Sequence, residues 1–115
     1  MIFVLEDDEI MAECIAKATK KPCRIFPNAI AAMNAISDGE IPDLIFLDVL
    51  LDGPDGFTFL NELASYSDTS KIPIIITTSL DLKTDQLQNY QIEKILKKDE
   101  MTPEEIKKYA DQYAK

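Results

Sequence analysis

Three short runs in this chain are apolar at every position, and each one stops at groups that belong in water. Ile2–Leu5 is followed by Glu6-Asp7-Asp8, Leu44–Leu47 by Asp48, and Ile72–Ile76 by Thr77-Thr78-Ser79. A strand with one wet face alternates apolar and polar residues, so an unbroken apolar run predicts a strand covered on both faces, as in a parallel sheet flanked by helices. The intervening segments have helical patterning. From about Glu9 to Lys20, apolar Ile10, Cys14, Ile15 and Ala18 recur at helical spacing, with lysines at the end the helix dipole favours, and Pro22 stops the run. Cys23–Phe26 predicts a shorter second strand. Asn28 is placed to cap a helix through Ile30, Met33, Ala35 and Ile36, ending at Asp38-Gly39. Phe57–Tyr66 puts Phe57, Leu60, Leu63 and Ala64 on one helical face. Residues from about Thr84 to Asn89 predict a weak polar helix, and Ile95-Leu96 a short fifth strand. Thr102-Pro103-Glu104-Glu105 has the cap, the first-turn proline and the third-position acid of a helix start, and Ile106, Tyr109, Ala110 and Tyr113 form its stripe. The sum is (βα)5, one doubly wound α/β domain over residues 1–115.

Charge narrows the function. Against 12 Lys and Arg stand 21 Asp and Glu, a net charge of −9, which argues against nucleic acid and anionic membranes as partners. With no histidine in the 115 residues, no imidazole base, ligand or phosphoacceptor is possible. Cys14 and Cys23 match no zinc or CxxC spacing and read as small buried hydrophobes. The N-terminus has no basic region and too short an apolar run for a signal peptide, and no segment is long enough to span a bilayer, so a cytoplasmic protein is expected.

In an open parallel sheet, ligands bind outside the carboxyl ends of the strands. There the sequence sets Glu6 and Asp7, Asp48, the hydroxyls of Thr77, Thr78 and Ser79, and the Lys97-Lys98 pair. Carboxylates gathered at neighbouring strand ends repel one another unless a cation lies among them. A donor set of oxygens alone suits Mg²⁺. A hydroxyl and an ammonium opposite complete a place for a phosphoryl group. Asp48 follows four apolar residues of a buried strand, where an unpaired structural carboxylate is costly. Asp8 reads as a helix cap.

These residues resemble the receiver domains of two-component response regulators over essentially the whole chain. The resemblance rests on the acidic pair after Ile2–Leu5, on Asp-Leu-Ile-Phe-Leu-Asp at 43–48 and on Leu50-Leu51-Asp52-Gly53-Pro54-Asp55-Gly56-Phe57. Pro73-Ile74-Ile75-Ile76-Thr77-Thr78-Ser79 and Leu96-Lys97-Lys98 complete it. It implies a flavodoxin-like fold with strand order 2-1-3-4-5. Asp48 then corresponds to the phosphoacceptor, Asp7 to the direct Mg²⁺ ligand, Glu6 to the acid that holds the metal through water, and Leu50 to the backbone carbonyl ligand. Mn²⁺ can substitute for Mg²⁺. Thr78, with Ser79 beside it, matches the hydroxyl that moves to the phosphoryl group, and Lys98 the lysine that pairs with it; between Lys97 and Lys98, the distance from Thr78 favours Lys98. The implied chemistry is carboxylate nucleophilic catalysis, in which the chain promotes its own aspartyl phosphorylation without being a turnover enzyme. The implied donors are a sensor histidine kinase, a phosphotransfer protein or a small acyl phosphate. A downstream protein of unspecified identity reads the signal, and the chain is a monomer or a phosphorylation-dependent dimer.

Two positions depart from the family pattern. Asp99 follows Lys98 where the family has proline in a cis peptide, so a trans bond is expected. Ile95 stands where the family often has a switching aromatic. Leu50 and Leu80, two residues after Asp48 and Thr78, are apolar and cannot orient an attacking water, which predicts slow self-dephosphorylation. Met1 directly before the first strand, and an end after the last helix, suggest a stand-alone receiver. A phosphorylation-independent scaffold with the same fold is the main alternative. An Asp-nucleophile phosphatase fits poorly, because Leu50 occupies the place of its second aspartate.

Overall fold

The apolar runs form the middle of one parallel sheet. The computed structural model describes residues 1–48, 56–79 and 90–114. In chain order the elements are β1 (Ile2–Leu5), α1 (Glu9–Thr19), β2 (Cys23–Phe26), α2 (Ala29–Ser37), β3 (Leu44–Leu47), α3 (Gly56–Ala64), β4 (Ile74–Thr78), β5 (Ile92–Lys97) and α4 (Pro103–Tyr113). The five strands are parallel in the order β2-β1-β3-β4-β5, as the family resemblance implies. The weak helix expected from about Thr84 to Asn89, and the positions of Leu50 and Leu80, lie outside the described residues.

Alternate side chains of each strand enter opposite layers. Phe3, Leu5, Ile45, Leu47, Ile74 and Ile76 pack under α2 and α3, while Ile2, Val4, Leu44, Phe46, Ile75 and Leu96 pack under α1 and α4. Both faces of the central strands are therefore dry, which is why their sequences do not alternate. Phe3 and Phe26 meet edge to face, with ring centroids 4.7 Å apart.

Local signals mark the helix ends. The Asp8 side chain accepts the Ile10 and Met11 amides at 3.0 and 3.1 Å, and Asn28 accepts the Ala31 amide at 2.9 Å. Thr102 and Glu105 form a reciprocal capping box. Gly39, at φ +99°, supplies the left-handed turn after α2.

Several faces and boundaries differ from expectation. In α1 the buried stripe is Ala12, Ile15 and Thr19, whereas Ile10 is 77% exposed. Cys14 is exposed and Cys23 half-buried, so neither is the buried hydrophobe expected. Small Ala12 lets α1 approach the sheet closely, and the Thr19 hydroxyl is satisfied by the Ala16 carbonyl at 2.7 Å. In α3, Phe59 joins Leu60 and Leu63 inside, while Ala64 is exposed. β4 begins at Ile74 and runs on through Thr77 and Thr78, both buried. β5 is six residues long, more than the expected Ile95-Leu96. The Lys98–Asp99 peptide is trans, like every peptide bond among the described residues.

Candidate functional site

Backbone hydrogen bonds carry the sheet one residue past its strands and seat the polar groups at its carboxyl edge. The Glu6 amide donates to the Phe26 carbonyl at 3.1 Å, Asp48 to Leu5 at 2.9 Å, and Lys98 to Thr78 at 2.8 Å. Glu6 and Asp48 are thereby held at the ends of adjacent strands, 2% and 4% exposed. Asp7, next along the chain, is exposed.

Lys98 reaches across this edge. Its ammonium donates to Glu6 Oε1 at 2.6 Å and to Asp48 Oδ2 at 3.0 Å. Of the two adjacent lysines, Lys98 supplies the cation to the buried carboxylates, while Lys97 lies opposite Thr78 in the β4–β5 register. Among the described residues, these two buried carboxylates share the Lys98 ammonium. Burial, reinforced by the neighbouring Asp48 carboxyl and opposed by Lys98, pushes the Glu6 pKa up to about 7. Burial acts to lower the Lys98 pKa, but the hydrogen bonds to Glu6 and Asp48 outweigh it and raise the value above that of an ordinary lysine. Below neutrality Glu6 is therefore held mainly as the neutral acid beside the Lys98 ammonium.

Two buried polar atoms are left over among the described residues. Glu6 Oε2 and Thr77 Oγ1 are buried without a hydrogen-bond partner. Carboxylate oxygens of Glu6, Asp7 and Asp48 lie within 4.8 Å of one another. An orphaned carboxylate oxygen inside an all-oxygen cluster fits a hard divalent cation, which prefers carboxylates and water to nitrogen or sulfur donors.

The fold thus brings Glu6, Asp7, Asp48 and Lys98 together. Thr78 lies at the end of β4, fully buried, and Ser79 is exposed just beyond it. Leu50, expected as a carbonyl ligand, and Leu80 lie outside the described residues. The sequence did not reveal the direct Glu6–Lys98 bond, which joins residues 92 positions apart. Nor did it distinguish Thr77, whose hydroxyl is orphaned, from its neighbours. Thr77 looked like an ordinary strand-end hydroxyl in the sequence.

A family model described as the response regulator receiver domain matches residues 2–111. The response regulator PleD of Caulobacter vibrioides is 37% identical over 57 residues, covering 50% of this chain and 13% of PleD. The sensor histidine kinase CheAY of Helicobacter pylori is 29% identical over 90 residues, covering 74% of this chain and 11% of CheAY. The chain thus spans only a small part of the length of these relatives. Among solved structures, the Mn²⁺-bound form of response regulator Rcp1 superposes with a TM-score of 0.74 at 22% identity, over 96% of this chain and 88% of that one.

Proposed function

The chain belongs to the response regulator receiver domain family, and from that premise we propose that it is a switch phosphorylated on Asp48. The observation that carries the reading is the convergence of Glu6, Asp7, Asp48 and Lys98 on one sheet edge, with a buried carboxylate oxygen left unpartnered. An oxygen of Asp48 attacks phosphorus in line, the bond from phosphorus to the donor breaks, and its electron pair leaves with the donor. The product is an aspartyl phosphate, a mixed anhydride. Lys98 neutralises charge on the transferred oxygens, and the Thr78 hydroxyl, with Ser79 beside it, donates to them. A divalent cation, Mg²⁺ or Mn²⁺, would be held by Glu6, Asp7 and Asp48, with the Leu50 carbonyl as the further ligand the family resemblance implies; it would supply neutralisation of the carboxylates and the incoming phosphoryl group. The Mn²⁺ in Rcp1 supports this choice.

The donor is a phosphohistidine on a sensor kinase or phosphotransfer protein, or a small acyl phosphate, and the readout is an altered interaction with a downstream protein in the cytoplasm. No helix among the described residues is long and apolar enough to cross a membrane. The chain is not a turnover enzyme on this reading. A second reading, a scaffold that is never phosphorylated, draws on Ile95, which packs against the core where the family often has a switching aromatic.

Intact-mass measurement after incubation with acetyl phosphate and Mg²⁺ separates the two. The expected result is a single phosphoryl adduct that requires Mg²⁺ and is absent in Asp48→Asn. An unmodified wild-type mass, with metal binding demonstrated by titration and a histidine kinase also failing as donor, favours the scaffold.

A further inference from the structure

Although 29% of the residues in this chain are charged, α2 carries no charged side chain. It lies on the surface, with Ile30 55% exposed. A surface helix ordinarily turns a charged face to water, so a charge-free one with an exposed isoleucine presents a face suited to burial. Beside it runs a groove between α2 and α3. One part, about 180 Å³, is lined by Ile30, Met33 and Phe59 and closed by Glu62. The next part, about 420 Å³, shares Met33 and Glu62 and extends to Tyr66 and Asp68. Tyr66 is 56% exposed. The only charged residues lining either part are Glu62 and Asp68, and neither is in an ion pair among the described residues.

We propose that this groove binds an apolar segment of another protein that carries lysine or arginine beside its apolar residues. The nine residues of α2 span about 13 Å at 1.5 Å per residue, which matches two to three turns of a docked helix. Charge selects the occupant. A second copy of this chain brings the same acidic rim and the same net charge of −9, so a twofold pairing sets like charges against each other. An anionic bilayer is repelled in the same way. A basic amphipathic segment satisfies both the apolar floor and the two unpaired carboxylates. The groove runs along α2 and α3 on the flank of the sheet, and its lining includes none of Glu6, Asp7, Asp48 and Lys98, so docking there does not require phosphorylation of Asp48.

The test uses the whole unphosphorylated chain at 0.15 M ionic strength, where surface charges act over about 8 Å. The probes are a twelve-residue peptide with leucine at helical spacing and lysine elsewhere, its counterpart with glutamate for lysine, and phosphatidylglycerol-containing vesicles. Amide shift mapping is expected to place the lysine peptide on α2 and α3. Glu62→Lys with Asp68→Lys is expected to weaken binding at least tenfold, while the equal charge change Glu13→Lys with Glu104→Lys leaves it within twofold. The proposal is overturned by any of four results: no binding, shifts centred elsewhere, equal binding of the glutamate peptide, or occupation of the groove by vesicles or by self-association that Ile30→Ser abolishes.

Discussion

Glu6 is buried beside Asp48 and shares the Lys98 ammonium with it, and its titration follows from that position. In the folded chain without divalent cations its pKa is about 7, against an ordinary value of 4.5. Between those values the native state holds a proton that the unfolded chain has released. Stability from this group is therefore highest at the acidic end of the window and falls as pH rises through it. The loss amounts to about 3 kcal/mol over the window, at about 1.4 kcal/mol per pKa unit. Glu6→Gln cannot release the proton. Urea unfolding in chelator is expected to show wild type losing stability relative to this variant from pH 5 to pH 8; parallel curves would exclude the effect. Asp48 stood out in the sequence as a candidate, because a carboxylate directly after a wholly apolar strand is expensive unless it is used; Asp7 was a candidate through the acidic pair and the family resemblance. Glu6's protonation was not legible there, because it depends on burial and on a lysine near the other end of the chain.

The start signals of α1, α2 and α4 are local and survive in the structure unchanged. Thr102 and Glu105 each satisfy the other's backbone amide, at 3.2 Å in both directions. Thr102→Ala is expected to cost about 1 kcal/mol in urea unfolding, whereas Thr102→Ser is expected to be nearly neutral. Helix faces were read less well. Ile10 and Cys14 outweigh Ala12 and Thr19 in hydrophobicity, yet the latter two face the core, since close approach of α1 to the sheet favours small side chains. β5 extends beyond the expected Ile95-Leu96 because of its pairing. Its register against β4 passes from Ile92 opposite Ile74 to Lys94 opposite Ile75, so Glu93 is an extra residue in the ladder. That bulge breaks the pattern that would have announced a strand from Ile92.

At the scale of the molecule, β3 is the axis. It is paired on both sides, to β1 and β4, and its four side chains are divided between the two cores. Phe46 is fully buried in the layer under α1 and α4. Phe46→Ala is expected to cost about 4 kcal/mol, from lost transfer energy plus the cavity left behind, a large fraction of a small domain's total stability. Chemical denaturation should show a lower midpoint with an unchanged slope. Asp48 directly follows β3, so this loss also loosens the base of the candidate phosphoacceptor, and the variant's phosphorylation is best measured well below its unfolding midpoint.

The sequence by itself determined the order of the strands and helices among the described residues and which polar groups end the strands, because periodicity, caps and breakers act over a few residues. It also carried the family resemblance, since the acidic pair, Asp48, Thr78 and Lys98 occur in a recognisable order. Only the tertiary structure decided that Lys98 meets the buried carboxylates, that Glu6 shares that ammonium with Asp48, and that α2 presents an uncharged face above an acidic-rimmed groove. Those outcomes depend on which strands are neighbours and on how closely each helix approaches the sheet. They are contacts between residues far apart in the chain, and no local pattern encodes them.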